Sequence, residues 1–155
     1  MTNHVLPIDF EPTPRALETN LQSRKLARAH LEAGGVVIVF PSGGIATTPR
    51  LFSREATEEP WAPLVGQLVR RTRASVLPVF FYGQNSRLFQ WASHISYAMR
   101  IALIFHEVRR RIGTRLDIVI GEVMDYEALQ PHLPPKNLAR HLQRHVYQLA
   151  RWISS

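Results

Sequence analysis

The sequence predicts an α/β domain with a mainly parallel sheet flanked by helices, and three observations carry that expectation. Three short runs, residues 36–40 (VVIVF), 74–82 (ASVLPVFFY) and 115–121 (RLDIVIG), are rich in β-branched and aromatic residues, the pattern of strands buried on both faces. Segments with helical periodicity stand before, between and after them. The chain has 155 residues and is 45% apolar, enough for one core and therefore one domain spanning residues 1–155.

Thr13 and Pro14 open the first helix as N-cap and first-turn proline, and Gly34 and Gly35 close it, so a helix is expected over residues 14–33. Residues 36–40 follow as a central strand. It ends in the turn Pro41-Ser42-Gly43-Gly44, and residues 45–60, with Pro49, Pro60 and mixed charges, read as a long loop. Residues 61–73 read as the second helix and 74–82 as the second strand, where Pro78 fits only an edge or a lapse in pairing. Residues 87–111 form a long apolar-rich helical segment that closes at Gly113, ahead of the third strand at 115–121. In residues 136–153, Leu138, Leu142, Val146, Leu149 and Ile153 recur at helical spacing and give one apolar face. Open α/β sheets bind ligands beyond the carboxyl ends of their strands, which makes the turn at Ser42 the first candidate site.

No cysteine is present, which excludes disulfides, thiolate metal sites and cysteine nucleophiles. No apolar run approaches the roughly 18 residues that span a bilayer. The N-terminal stretch MTNHVLPIDFEPTPR has no basic segment followed by an apolar one, so a cytoplasmic location is expected. The formal net charge is +7, and 17 of the 19 basic residues are arginine, all but Lys25 and Lys136. Arginine suits planar, bidentate recognition of phosphate and carboxylate, so anionic lipid, phosphorylated small molecules and nucleic acid stay open as partners. A codon bias toward arginine explains the count equally well.

The segment Phe40-Pro41-Ser42-Gly43-Gly44 places small residues and backbone N–H groups at the end of an apolar run, a cradle for an oxyanion or phosphate, and Arg50 brings charge a few residues on. It is not a P-loop, because no Gly-Lys-Ser/Thr follows. Nor is it a nucleophile elbow, because Phe40 stands where glycine is needed. The stretch VVIVFPSGGIATTPR, followed after a spacer by WAPLVGQLVRRTRASVLPVFFYGQNSRLF, resembles the third and fourth sequence blocks of the glycerolipid (lysophospholipid) acyltransferase family. Its hemolysin-like branch, which includes ornithine-lipid acyltransferases, is the most similar. The family's third block is commonly Phe-Pro-Glu-Gly-Thr; Phe40, Pro41 and Gly43 match it, whereas Ser42 and Gly44 depart from it. Pro78 matches the proline of the apolar fourth block, and the resemblance covers residues 5–122.

That resemblance implies an acyltransferase that moves a fatty acyl group from acyl carrier protein (as acyl-ACP) or coenzyme A (as acyl-CoA) to a lysolipid hydroxyl in membrane lipid synthesis. It implies a peripheral place on the cytoplasmic face of the inner membrane and no metal or bound cofactor. Phe40, Pro41, Ser42, Gly43 and Gly44 would hold the acceptor or the developing oxyanion, Arg50 the acceptor's anionic group, and Pro78 would belong to the same substrate-binding set.

The family's catalytic pair is a His followed by four residues and an Asp, the His removing the acceptor's hydroxyl proton and the Asp orienting the imidazole. His4 and Asp9 have that spacing. Three features count against them. Only three residues precede His4; Val5-Leu6-Pro7-Ile8 is an apolar run where the family has small residues; and only 38 positions separate His4 from Ser42, fewer than in the family. The pair is read as a coincidence of spacing and no catalytic residue is assigned. The expectation is a domain lacking the N-terminal part of its fold, catalytic block included, and inactive alone.

Phe89, Trp91, Tyr97 and Phe105, with Arg87, Arg100, Arg109, Arg110 and Arg111, suit a helix lying on an anionic membrane surface, or a core helix with a solvated basic end. Arg70, Arg71 and Arg73 suit a coenzyme A phosphate or an acidic carrier protein, or a plain solvated helix end. His141 and His145 have metal-chelating spacing, but with neither an HExxH glutamate nor a third ligand they read as part of a polar face, and no metal site is expected. His94 and His106 read as hydrogen-bonded core or boundary residues. The alternative function is a non-catalytic basic module for anionic lipid or nucleic acid. Nucleic acid is disfavoured, since no helix-turn-helix, zinc or single-strand-binding signature is present.

Overall fold

The computed structural model describes residues 5–9, 11–42, 60–83 and 97–153, with backbone alone for residues 97–102, 152 and 153. The chain divides into two compact units, one of Met1–Pro41, Pro63–Val76 and Val123–Ala139, the other of Ser42–Ala62, Leu77–Glu122 and Arg140–Ser155.

In the first unit, helix α1 (Pro14–Glu32) starts and stops where its capping residues dictate. The Thr13 side chain accepts a hydrogen bond from the Ala16 N–H at 3.1 Å, and Pro14 fills a position whose N–H has no helical partner to lose. At the other end the Gly34 N–H donates to the Leu31 carbonyl and the Gly35 N–H to the His30 carbonyl. This Schellman pair needs the left-handed backbone that Gly34 supplies at φ 81°. The buried residues of α1, Ala16, Ser23 and Ala27, are small and fall on one stripe, which lets neighbouring backbone approach. Segment 5–9 uses that approach: Ser23 Oγ donates to the Pro7 carbonyl at 2.6 Å, and the Asn20 amide exchanges two 2.8 Å hydrogen bonds with the backbone of Asp9.

Helix α2 (Leu64–Thr72) buries Gly66, Leu68 and Val69 and ends at Arg73, whose left-handed φ of 54° stands in for the usual glycine. The Arg73 guanidinium then lies 5.0 Å from the centre of the Tyr126 ring, with Glu127 3.7 Å away. An antiparallel bridge joins Val76 to Met124 through hydrogen bonds of 2.9 and 2.8 Å, and the Ser75 hydroxyl donates to Asp125. The core of this unit gathers Ala16, Ala27, Leu68, Val69, Leu129, Leu138 and Ala139.

The second unit holds β1 (Val79–Phe81), α3 (Tyr97–Arg111) and β2 (Ile118–Ile120). The strands pair antiparallel, Val79 opposite Ile120 and Phe81 opposite Ile118. The ladder continues through Gly121 N–H to the Pro78 carbonyl and Tyr82 N–H to the Asp117 carbonyl, both at 2.9 Å. Phe80 makes edge-to-face contacts with Tyr82 and Tyr147 at 5.0 and 5.8 Å, and the Tyr82 hydroxyl donates to the Ala150 carbonyl at 2.6 Å. A short helix α4 (Tyr126–Leu129) and a 3₁₀ turn (Gln130–His132) in the first unit lead to α5 (Pro135–Leu149). The chain of α5 runs from the first unit into the second and buries Leu138, Ala139, Leu142 and Val146 at the spacing the sequence shows.

The expected mainly parallel sheet is overturned. The described residues are mostly helical, and the sheet among them has two antiparallel strands. Helices alternating with apolar runs suggest a βαβ unit, but a helix between two strands only returns the chain; it does not fix which way the second strand points. Here α3 separates β1 from β2 and they run in opposite directions. The run 36–40 forms no strand: Val36, Ile38 and Phe40 are 82%, 81% and 75% exposed, while Val37 and Val39 are half-buried. Its β-branched residues alternate with the two-residue period of a strand, without a pairing partner among the described residues. The second expected strand shortens to the Val76 bridge and β1, and the third to β2.

Candidate functional site

Of the residues nominated for substrate binding, Gly43, Gly44 and Arg50 lie outside the described residues. Pro41 and Ser42 sit half-buried in a turn, with exposed Phe40 before them. Phe40 and Pro41 belong to the first unit, Ser42 and Pro78 to the second. Pro78 is buried immediately before β1, a place where its missing N–H costs no ladder bond. A Cβ on Gly121 would lie 2.9 Å from Pro78 Cγ and 3.1 Å from the Leu149 methyl groups, so Pro78 packs closely against the exit of β2. In the structure its visible work is to seat the two-stranded sheet.

The His4/Asp9 spacing meets a concrete geometry at one of its ends. His4 lies outside the described residues. Asp9 is held through its backbone by Asn20, and its Oδ1 accepts the Glu11 N–H at 3.0 Å. A carboxylate bonded to the N–H two residues on is the turn-forming habit of aspartate, and this turn delivers the chain to the Thr13 cap. An open groove of about 800 Å³ lies between residues 5–7 and α1, its walls including Leu6, Leu17, Leu21, Leu26, Arg15 and Lys25. None of the nominated substrate-binding residues lines it.

Among the basic residues, Arg73 is engaged with Tyr126 and Glu127, while Arg70 and Arg71 are exposed at the C-terminal turn of α2, where positive charge complements the helix dipole. The rings of His141 and His145 stack with centroids 6.3 Å apart, and no group of three or more metal-ligating side chains occurs among the described residues. His106 is exposed, and His94 lies outside the described residues.

Helix α3 has an orientation that sequence reasoning left open. Glu107 is 5% exposed, whereas Phe105, Val108 and Ile112 are 80%, 57% and 76% exposed, with Arg109 exposed beside them. Ile112, just past the helix, was missed; its signal is the spacing of residues 105, 108 and 112, which marks one helical stripe.

No family model, no curated protein and no solved structure matches the chain. No helix among the described residues is long and apolar enough to cross a membrane.

Proposed function

We propose that this chain holds a lysolipid acceptor for acyl transfer at the cytoplasmic face of the inner membrane. The acyl group comes from acyl carrier protein or coenzyme A. The single observation behind this reading is the ordered pair of sequence blocks, FPSGG at residues 40–44 and the proline-bearing apolar run around Pro78. In the reaction the acceptor's hydroxyl oxygen bonds to the thioester carbonyl carbon, the carbon–sulfur bond breaks, and a base takes the hydroxyl proton and passes it to the departing sulfur, which leaves as the thiol. The Pro41 to Gly44 turn contributes backbone N–H groups to the oxyanion, and Arg50 meets the acceptor's anionic group. No residue of the chain is assigned as the base.

A short-chain lysolipid that stays monomeric in solution tests the reading. Calorimetric titration is expected to show binding to the chain and its loss in Gly43→Trp. A folded Gly43→Trp variant that binds as well as the parent overturns the assignment of this turn.

A further inference from the structure

We infer that the outer face of α3 and the turn that follows it, formed by Phe105, Val108 and Ile112 with Arg109 on its edge, docks the protein onto an anionic lipid surface. A core helix with a solvated end would turn its apolar residues inward and its carboxylate outward. Helix α3 does the reverse at these positions: the carboxylate-bearing Glu107 is 5% exposed, while Phe105 and Ile112 are 80% and 76% exposed. Phe105 and Val108, three apart, lie on one side of α3, and Ile112 in the turn that follows continues their spacing, so the three make a single apolar stripe with the exposed Arg109 on its edge.

An apolar stripe with a guanidinium group on its edge matches the boundary of a bilayer, where acyl chains accept the stripe and lipid phosphates pair with arginine. The occupant favoured over a second copy of the chain is the lipid surface, because two copies of this face would bring their arginines together, and the chain already carries a formal net charge of +7. The inference rests on the reading of this protein as one that works at a membrane, and it deepens that reading by naming the face.

Flotation with vesicles of phosphatidylcholine, alone or mixed with phosphatidylglycerol, tests it on the full chain. The wild-type protein is expected to bind the mixed vesicles more tightly and to release as salt rises. Arg109→Glu is expected to weaken binding about tenfold, and Phe105→Ser with Ile112→Ser to weaken it on both vesicle types. Circular dichroism checks that these surface variants stay folded. Equal binding by wild type and both variants overturns the inference, as does loss of self-association in Phe105→Ser/Ile112→Ser with vesicle binding intact. Salt-sensitive binding to nucleic acid but not to vesicles also overturns it. Titration with the monomeric lysolipid separates the two readings: retained there and lost on vesicles, the acceptor site stands and this face fails; the opposite result spares the face.

Discussion

Gly66 of α2 faces Pro135 at the start of α5 so closely that a Cβ atom on Gly66 would lie 2.2 Å from the Pro135 carbonyl oxygen. The obstacle is backbone, with no side chain to swing away. Gly66→Ala gains helix propensity of about 1 kcal/mol, yet it must push the two elements apart, and overpacking of this kind costs about 1–3 kcal/mol. A net loss of stability is expected, visible as a lower urea midpoint with an unchanged slope. An unchanged or raised midpoint would show that the two backbones are not in contact.

The caps of α1 give three substitutions with separate causes. Thr13→Ala removes the acceptor for the Ala16 N–H and is expected to cost about 1 kcal/mol. Gly34 has open space around it, with nothing within 4 Å of an added Cβ, but its φ is 81°. Gly34→Ala is therefore expected to destabilise through backbone strain alone, by about 1–2 kcal/mol. The nearest obstacle to Gly35→Ala is the exposed His30 ring, which can move, so this change should cost less. Thermal unfolding of the three variants checks the order.

Tyr82 anchors the end of β1 by donating its hydroxyl to the Ala150 carbonyl at 2.6 Å. Tyr82→Phe leaves the ring contact with Phe80 in place and removes the one hydrogen bond, for an expected loss of about 1 kcal/mol. Tyr82→Ala also removes the ring and should cost about 3 kcal/mol or more. Equal stabilities for the two variants, measured by urea unfolding, would mean that the ring contributes nothing to packing.

What the sequence disclosed follows the range of each signal. The ends of α1 were legible because Thr13, Pro14, Gly34 and Gly35 act on their own backbone within a few residues, and both ends fall where those residues put them. The apolar face of α5 was legible for a similar reason, since Leu138, Leu142 and Val146 record burial in their spacing alone. Strand pairing is a long-range property: nothing in VFF or IVI states that Phe81 will lie opposite Ile118 with the chain reversed. The four-residue α4 is too short to show a period. At the candidate site, the turn after residue 40 and a structurally special Pro78 were readable locally, whereas the outward stripe of α3 depends on which side of that helix the rest of the unit covers.

The work done by Asp9 sets the last prediction. Its backbone is clamped by Asn20 through two 2.8 Å hydrogen bonds, and its carboxylate caps the Glu11 N–H. If that local role is the whole of its function, Asn20→Ala, which breaks both clamp bonds, should destabilise the protein by about 1–2 kcal/mol, and Asp9→Asn, which keeps an acceptor oxygen, should cost far less. His4→Ala should then leave stability and lysolipid binding unchanged. The chain alone should show no acyl transfer between an acyl thioester and a lysolipid. Turnover that disappears in both His4→Ala and Asp9→Asn, with folding intact, would instead make this pair the base and its orienting carboxylate, and Asn20 the residue that positions them.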